Sequence, residues 1–318
     1  MRVTIAIPTY NRAETLRDTL RAYHRQTGDH RILEILVIDD GSTDHTRSVV
    51  AECAEADSRL HYRHQSNSGL AAARNHAIHE ARGELILFGD DDIVPSAQLT
   101  AEHVAWHDAH PEEHFGVLGF VPWLPAVRPT PFMKWSALYG PQFNFGYFTP
   151  GKALDFQFGY FCNTSVCASF LRKHGVFSEA FRTYGYEDIE LSYRLSKSGY
   201  RLLYNPAACG FHNKFETLND AIRRVEKLYG SWPEFATTEA GARFLELWRN
   251  GRKKPAKGIR KAVRLALKPL KALTIPMVRP LLDTYVPLPA WIYSQVFYHY
   301  VPSFSTVIHD TGSPAKIA

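Results

Sequence analysis

Over residues 1–95 the chain alternates four times between a short apolar run and a polar loop or helix-like stretch, and this alternation constrains the fold more than any other feature. Val3-Thr4-Ile5-Ala6-Ile7-Pro8 is a β-branched run stopped by proline. A helix is expected over 13–24, where Leu16, Leu20 and Tyr23 recur at helical spacing. Leu33-Glu34-Ile35-Leu36-Val37-Ile38 reads as a second strand, with a helix expected over 46–56. Leu60-His61-Tyr62-Arg63-His64 is a short third strand before an Ala-rich helix over 70–81, and Leu85-Ile86-Leu87-Phe88 is a fourth. Strands alternating with helices imply right-handed βαβ crossovers and a parallel sheet in an α/β fold. Ligands of such sheets bind outside the carboxyl ends of the strands.

Polar loops close three of these strands. Thr9-Tyr10-Asn11-Arg12 follows the first, Asp39-Asp40-Gly41-Ser42-Thr43-Asp44 the second, and Gly89-Asp90-Asp91-Asp92 the fourth. Three consecutive carboxylates repel one another, and strand interiors disfavour Asp. Read alone, residues 90–92 are a solvated acidic loop or helix cap, or a site whose charge a cation offsets through oxygen ligands suited to Mg²⁺ or Mn²⁺. Neither the Gly-x-Gly-x-x-Gly fingerprint of dinucleotide folds nor the Walker phosphate loop follows a strand, which argues against those two nucleotide-binding folds.

Ile7-Pro8-Thr9-Tyr10-Asn11-Arg12, Val37-Ile38-Asp39-Asp40-Gly41-Ser42-Thr43-Asp44, Asn67-Ser68-Gly69-Leu70-Ala71-Ala72-Ala73-Arg74-Asn75 and Phe88-Gly89-Asp90-Asp91-Asp92 stand in the order and spacing of family 2 glycosyltransferases, which the chain resembles over about residues 1–215. The resemblance implies an inverting enzyme with a GT-A fold, a Rossmann-like, mixed and mainly parallel sheet flanked by helices, acting on a nucleotide-sugar donor. It also implies roles at the matching positions. Pro8, Thr9, Tyr10 and Arg12 would line the nucleoside pocket, with Tyr10 able to stack on the base. Asp39 and Asp40 would read the base, Asp40 accepting from a uracil N–H, and Asn67 and Gly69 would belong to the same nucleotide-sugar site. Arg74 would pair with phosphate oxygens. Asp92 would touch the metal and Asp90 the ribose or metal-bound water, with Asp91 in that network or at the donor sugar.

Past Pro95 a helix is expected to about residue 110, with His103, Trp106 and His107 on neighbouring turns, read as amphipathic surface rather than a metal site. Residues 115–121 read as a strand. Residues 122–151 are rich in Pro, Gly and aromatics, and long irregular segments are usually functional or mobile. They fit an acceptor side, where sugar C–H faces stack on rings, or equally a packed hydrophobic insertion or membrane-facing lid. A strand leading into a helix is expected over 158–169. Glu187 and Asp188 stand at an expected helix start, where the dipole alone would favour carboxylates. The resemblance makes Asp188 the general base on the acceptor hydroxyl and Glu187 its assistant or an acceptor ligand. Family members commonly carry Gly directly before this pair, where this chain has Tyr186. A last strand over 200–206 precedes His212. A lone His is more often structural, but the resemblance places a His there that completes the metal site and meets the diphosphate.

Charge is uneven along the chain. Residues 249–279 carry eleven Lys/Arg and no Asp/Glu, leaving 26 basic against 32 acidic residues elsewhere. Ile259, Ala262, Val263, Ala266, Leu270 and Leu273 share one helical face, opposite Lys257, Arg260, Lys261, Arg264, Lys268 and Lys271, with Pro269 dividing the stretch. A basic amphipathic helix suits an anionic membrane surface; folding back onto the body is the alternative. The aromatics of 276–302 lie outside the basic run rather than interleaved with it, which argues against nucleic acid. No run approaches the roughly 18 apolar residues of a membrane span. The chain opens without a basic leader and apolar signal region, and its four cysteines lack Cys-x-x-Cys spacing. A cytoplasmic protein, peripheral on the inner face of the cell membrane if it binds membrane, is therefore expected.

The expected organisation is a GT-A domain over 1–215, divided into a nucleotide-binding half (1–95) and an acceptor and catalytic half (96–215). Packing helices over 216–248 and a basic, aromatic and Pro-rich extension over 249–318 follow. The expected function is metal-assisted transfer of a hexosyl or N-acetylhexosaminyl group from a nucleotide-sugar, UDP-linked by preference, to a hydroxyl of a glycan or lipid-linked acceptor. One rival is a non-catalytic nucleotide-sugar- or glycan-binding module of the same fold, against which stand intact acids at every family position. Another is a sugar-1-phosphate nucleotidyltransferase, which would want a Gly-rich basic loop where Thr9-Tyr10-Asn11-Arg12 stands.

Overall fold

Each of the four N-terminal apolar runs becomes a strand in the computed structural model, which describes residues 1–27, 29–252, 274–301, 304, 307 and 308. β1 (Val3–Thr9), β2 (Ile32–Asp39), β3 (Leu60–His64) and β4 (Leu85–Gly89) alternate with α1 (Ala13–His24), α2 (Thr46–Ala56) and α3 (Leu70–Glu80). β1 lies parallel between β2 and β4, and β3 extends the sheet beside β2. Ile5, Ile7, Ile35, Val37 and Leu87 are fully buried, as in parallel sheets covered on both faces.

After β4 the strand directions mix. β5 (Ile93–Pro95), α4 (Leu99–Ala109), β6 (Phe115–Phe120), α5 (Pro131–Tyr139), β7 (Ala153–Leu154), β8 (Asn163–Cys167), α6 (Ala168–His174), α7 (Glu187–Lys197) and β9 (Arg201–His212) follow in order. The sheet runs β3-β2-β1-β4-β8-β6-β9-β5, with β7 also paired to β9. β8 is antiparallel to both β4 and β6, whereas β6 and β9 are parallel. Phe88 at the end of β4 packs edge-on against Phe161 and Phe177, at 5.2 and 5.8 Å between ring centres.

The surface reading of His103 and His107 is corrected by this packing, since both rings are buried. His103 lies 2.9 Å from both the Ser165 Oγ and the Asn163 Oδ1, and His107 Nε2 lies 2.9 Å from the same Ser165 Oγ. A polar ring can be buried when partners meet it, and here β8 supplies them. Burial pushes both imidazoles down to about 4, so they stay neutral.

Two compact units divide the chain: Met1–Val127 with Phe145–Lys214, which holds the whole sheet, and Arg128–Asn144 with Phe215–Ala318. The second unit contains α5, α8 (Leu218–Gly230), α9 (Trp232–Ala236), α10 (Glu239–Arg252) and a helix at Ala290–Tyr300. Thr217 and Asp220 cap α8 reciprocally, each side chain accepting from the other's backbone N–H. Phe132 and Trp135 of α5 are buried in this unit with Leu218, Ala221, Leu282 and Phe297. These two aromatics of the 122–151 stretch therefore form a packed insertion rather than an open acceptor face. The basic helix expected over 257–273, and most of the last dozen residues of the expected extension, lie outside the described residues.

Candidate active site

β1 and β2 end side by side because Thr9 and Asp39 are register partners. Asn11 turns into the left-handed region at φ 54°. Its N–H donates to the Ser42 hydroxyl (2.8 Å) and its Oδ1 accepts from the Thr43 N–H (2.7 Å), so the two loops are stitched together. Asp39 and Asp40 are buried among neutral donors. Asp39 accepts from the Ser42 N–H (2.8 Å) and the Tyr62 hydroxyl (2.6 Å). Asp40 accepts from Gln65 Nε2 (2.7 Å) and from the N–H groups of Ser68 and Gly69 (both 2.8 Å). The Asn67 amide donates to the Asp40 carbonyl (3.0 Å). Gly69 sits at φ 94°, a conformation that side chains resist. Tyr10 is exposed beside these loops, and Pro8 is the last residue but one of β1.

The acids after β4 are met by full charges. Arg12 spans two of them, Nη1 donating to Asp91 Oδ1 and Nη2 to Asp92 Oδ2, both at 2.8 Å. The Thr9 hydroxyl donates to the other Asp91 oxygen (2.8 Å). His212 arrives from the far end of the chain because β5 and β9 pair antiparallel, with Ile93 opposite His212. Its Nε2 comes to 3.3 Å from Asp92 Oδ2. Trp123 stacks flat on that imidazole, 4.9 Å between ring centres and 3° from parallel. Burial opposes the charge on Asp92, but His212 and Arg12 outweigh it and hold this carboxyl well below the usual range. At Asp91 burial prevails over Arg12, and the carboxyl is pushed up to about 7.

Arg74 joins this cluster to a second one. It is buried on α3, with Nη2 on Asp90 Oδ1 and Nη1 on Glu187 Oε1, both at 3.1 Å, and its guanidinium lies 5.3 Å from the Phe177 ring centre. Glu187 opens α7 after two left-handed residues, Gly185 (φ 108°) and Tyr186 (φ 68°). A non-glycine residue in that region costs roughly 1–2 kcal/mol, so the backbone explains why Gly suits the position Tyr186 fills. Glu187 also accepts from the Gly185 N–H (3.1 Å), and Asp188 from the Ile189 N–H (2.8 Å). Burial first, and then the charge of Glu187, push Asp188 up to about 7 against the pull of Arg74. Burial raises Glu187 as well.

The residues fit a divalent cation at one place. Two ligands at right angles on a metal with bonds of about 2.1 Å stand roughly 3 Å apart, close to the 3.3 Å between Asp92 Oδ2 and His212 Nε2. Diphosphate oxygens and water would complete such a sphere, as is usual for Mg²⁺. Asp90 pairs with Arg74 instead, and among the described residues no group of three His, Cys, Asp or Glu is arranged to hold a metal. The sequence reading missed the Tyr62, Gln65 and Trp123 partners. Only Trp123 had a visible signal, as one aromatic among many in 122–151.

The family model for glycosyl transferase family 2 matches residues 4–173, more than half of the chain. That range carries the three strand-end loops and stops before Glu187, Asp188 and His212. A validoxylamine A glucosyltransferase of Streptomyces hygroscopicus subsp. jinggangensis is 31% identical over 242 residues, covering 69% of this chain but 57% of that relative. An uncharacterized glycosyltransferase of Bacillus subtilis, YfnE, is 36% identical over 37% of this chain and 30% of its own length. Among solved structures, a mannosyltransferase of Pyrobaculum calidifontis in complex with GDP-Man and Mn²⁺ superposes with a TM-score of 0.60 at 20% identity, covering 94% of this chain and 85% of that one. Staphylococcus aureus TarS 1–349 in complex with UDP-GlcNAc gives 0.56 at 18% identity, covering 94% and 89%. The superposition shows a GT-A fold, and with the family match across its strand-end loops the chain belongs to glycosyl transferase family 2.

Proposed function

We propose that this protein transfers a hexosyl or N-acetylhexosaminyl group from a UDP-sugar to a hydroxyl of a glycan or lipid-linked acceptor, with inversion at the anomeric carbon. The reading rests above all on the Arg74 bridge, which holds Asp90 and Glu187 at 3.1 Å on either side of one guanidinium. The donor-side acids and the Glu187/Asp188 pair then belong to one charged cluster. With its carboxyl raised to about 7, Asp188 is a far stronger base than an ordinary Asp and is still ionised in a useful fraction at neutral pH. It takes the acceptor proton as that oxygen attacks the anomeric carbon from the face opposite the diphosphate. The bond from sugar to phosphate breaks, and its electron pair leaves with the diphosphate. Inversion follows from this single displacement.

In this reading Tyr10 stacks on the base, and Asp40, with three of its roughly four lone-pair sites used by the protein, gives the remaining one to a base N–H. Asp91 holds Arg12 and Thr9 in place beside the nucleoside. A Mg²⁺ or Mn²⁺ ion held by Asp92 and His212 would neutralise charge on the departing diphosphate, a reading supported by the Mn²⁺ named with the Pyrobaculum mannosyltransferase. Residues 1–215 are the catalytic domain, with the donor bound by 1–95 and the acceptor met by 96–215.

The test is a donor panel (UDP-glucose, UDP-GlcNAc, UDP-GalNAc and GDP-mannose) scored by thermal shift with and without Mn²⁺, followed by nucleotide release and the anomeric proton coupling of the product. Stabilisation by a UDP-sugar that depends on Mn²⁺, with slow release of UDP to water, is the expected result. Binding with no turnover under any acceptor would replace the enzyme with a nucleotide-sugar-binding module. A retained anomeric configuration would remove Asp188 from the role of base.

A further inference from the structure

We infer that His76 is a positioning residue for base recognition, acting through Gln65 to fix which oxygen Asp40 offers the nucleotide, a role that rests on the reading of Asp40 as acceptor of a base N–H. The carboxylate is used unevenly. Oδ1 accepts twice, from Gln65 Nε2 (2.7 Å) and the Ser68 N–H (2.8 Å), whereas Oδ2 accepts once, from the Gly69 N–H (2.8 Å). A carboxylate has about two lone-pair sites on each oxygen. Oδ1 is therefore filled, and Oδ2 has room for one more donor.

Two of those three donors are backbone N–H groups just before α3, which cannot reverse. Gln65 can. Its own N–H is tied to the Asp39 carbonyl (3.0 Å), but its side chain ends in an amide that presents a donor or an acceptor according to how it turns. Turned the wrong way, it would set its oxygen against the Asp40 carboxylate. The groove beside it gives little apolar packing to prevent this: among the described residues that line it, Ala72 alone is apolar.

His76 supplies the constraint. Its Nδ1 lies 2.8 Å from Gln65 Oε1. Because Asp40 takes the Gln65 N–H, the amide oxygen is left facing the imidazole, and that oxygen only accepts. His76 Nδ1 therefore carries a proton, as the Nδ1–H tautomer or as imidazolium. The polarity of the line follows: His76 donates to Gln65, Gln65 donates to Asp40, and Asp40 keeps Oδ2 for the base. The imidazole is itself placed by α3. Arg74, Asn75 and His76 are consecutive there, about 100° apart around the axis, and each meets a different part of the fold. Arg74 bridges Asp90 and Glu187, Asn75 donates to the Phe177 carbonyl (2.9 Å), and His76 meets Gln65. Glu80, one turn further along, stands 3.9 Å from His76 Nε2, so the other edge of the ring faces an acid.

The experiment titrates the full chain by calorimetry with UDP and with N3-methyl-UDP, whose base lacks the N–H. The parent should bind UDP about tenfold more tightly than the methylated nucleotide. His76→Ala should weaken UDP about three- to tenfold, the value of one hydrogen bond, and leave N3-methyl-UDP within about twofold, so the preference shrinks. His76→Asn, which keeps an N–H donor near the place of Nδ1, should restore the preference. His76→Asp, which puts an acceptor there, should fall to the level of His76→Ala or below. A parent with no preference between the two nucleotides removes Asp40 from base recognition and takes this role of His76 with it. A parental preference that His76→Ala keeps in full leaves Asp40 in place and overturns the role of His76 alone. Equal loss of both nucleotides in His76→Ala, or a His76→Asn no better than His76→Ala, would make the contact a general support of the fold and overturn the inference as well.

Discussion

Asp39 and Asp40 close β2 with hydrogen bonds from a tyrosine hydroxyl, a glutamine and three backbone N–H groups. Asp90, Asp91 and Asp92 close β4, two strands away in the sheet, against two guanidiniums and an imidazole. Fixed neutral dipoles orient a carboxylate and leave its charge in place, so the first cluster is a rigid negative surface. Full cations cancel charge, and burying such pairs repays desolvation only when every member is present. The second cluster is therefore balanced as a set, and under the proposed function a diphosphate or a metal would rebalance it. Acids adjacent on one sheet edge do two kinds of work, shape in one case and charge in the other.

Glu187 and Asp188 belong to the second kind through Arg74, and the largest expected effect lies there. Asp188→Asn should lower the initial rate of UDP release to acceptor by about 10²–10⁴-fold, with the donor-induced thermal shift preserved. Turnover within a few-fold of the parent would detach Asp188 from the charged cluster's chemistry. Next comes Arg74→Ala, which strands the buried Glu187 and the half-buried Asp90 without their cation; breaking a buried pair costs about 3–5 kcal/mol, read from urea midpoints. Arg74→Lys should recover only part, since one ammonium cannot span both carboxylates as the guanidinium does. If Arg74→Ala unfolds at the parental midpoint, the cluster is not balanced as a set. The first cluster should respond more gently: Tyr62→Phe removes one hydrogen bond from a neutral donor to the Asp39 carboxylate, worth about 1.5–3 kcal/mol. Its loss should hardly depend on salt, and a marked salt dependence would erase the contrast between the clusters.

How far these clusters can be read from the chain follows the same division. The strand ends and their acids are local patterns, so β1 to β4 and the helices between them fall where hydrophobic period puts them. The compensating partners are products of register. Nothing near Asp92 in the chain announces His212, which depends on Ile93 pairing with it across β5 and β9. Nor does local pattern reveal that β8 slips antiparallel between β4 and β6 and buries His103 and His107 on Ser165 and Asn163. Arg12 belongs to a motif read as nucleoside pocket, yet its side chain reaches the acids after β4 because β1 and β4 are sheet neighbours. The Phe132 and Trp135 insertion had two equal readings because aromatic composition alone suits both a sugar surface and a core.

A further effect separates the clusters by pH. Asp188 is raised from the usual carboxyl value of 3.8 to about 7 by burial and by Glu187. The folded protein therefore holds this proton more tightly than the unfolded chain does. Its contribution is fully stabilising below about pH 4 and is lost as pH rises through 7, with a slope no steeper than about 1.4 kcal/mol per pH unit. With Asp188 as the proposed base, the rate would run the other way across the same window, because the proton that stabilises the fold would occupy the oxygen that must accept one from the acceptor. Between pH 5 and 8 the urea midpoint should drift down while the rate climbs toward a plateau above about 7. Asp188→Asn should make the stability limb shallower, leaving the part that Asp91, also raised to about 7, contributes over the same window. A variant that keeps the parental slope would move the raised group elsewhere in the cluster, and a rate and stability that rise together would mean the carboxylate is not the base.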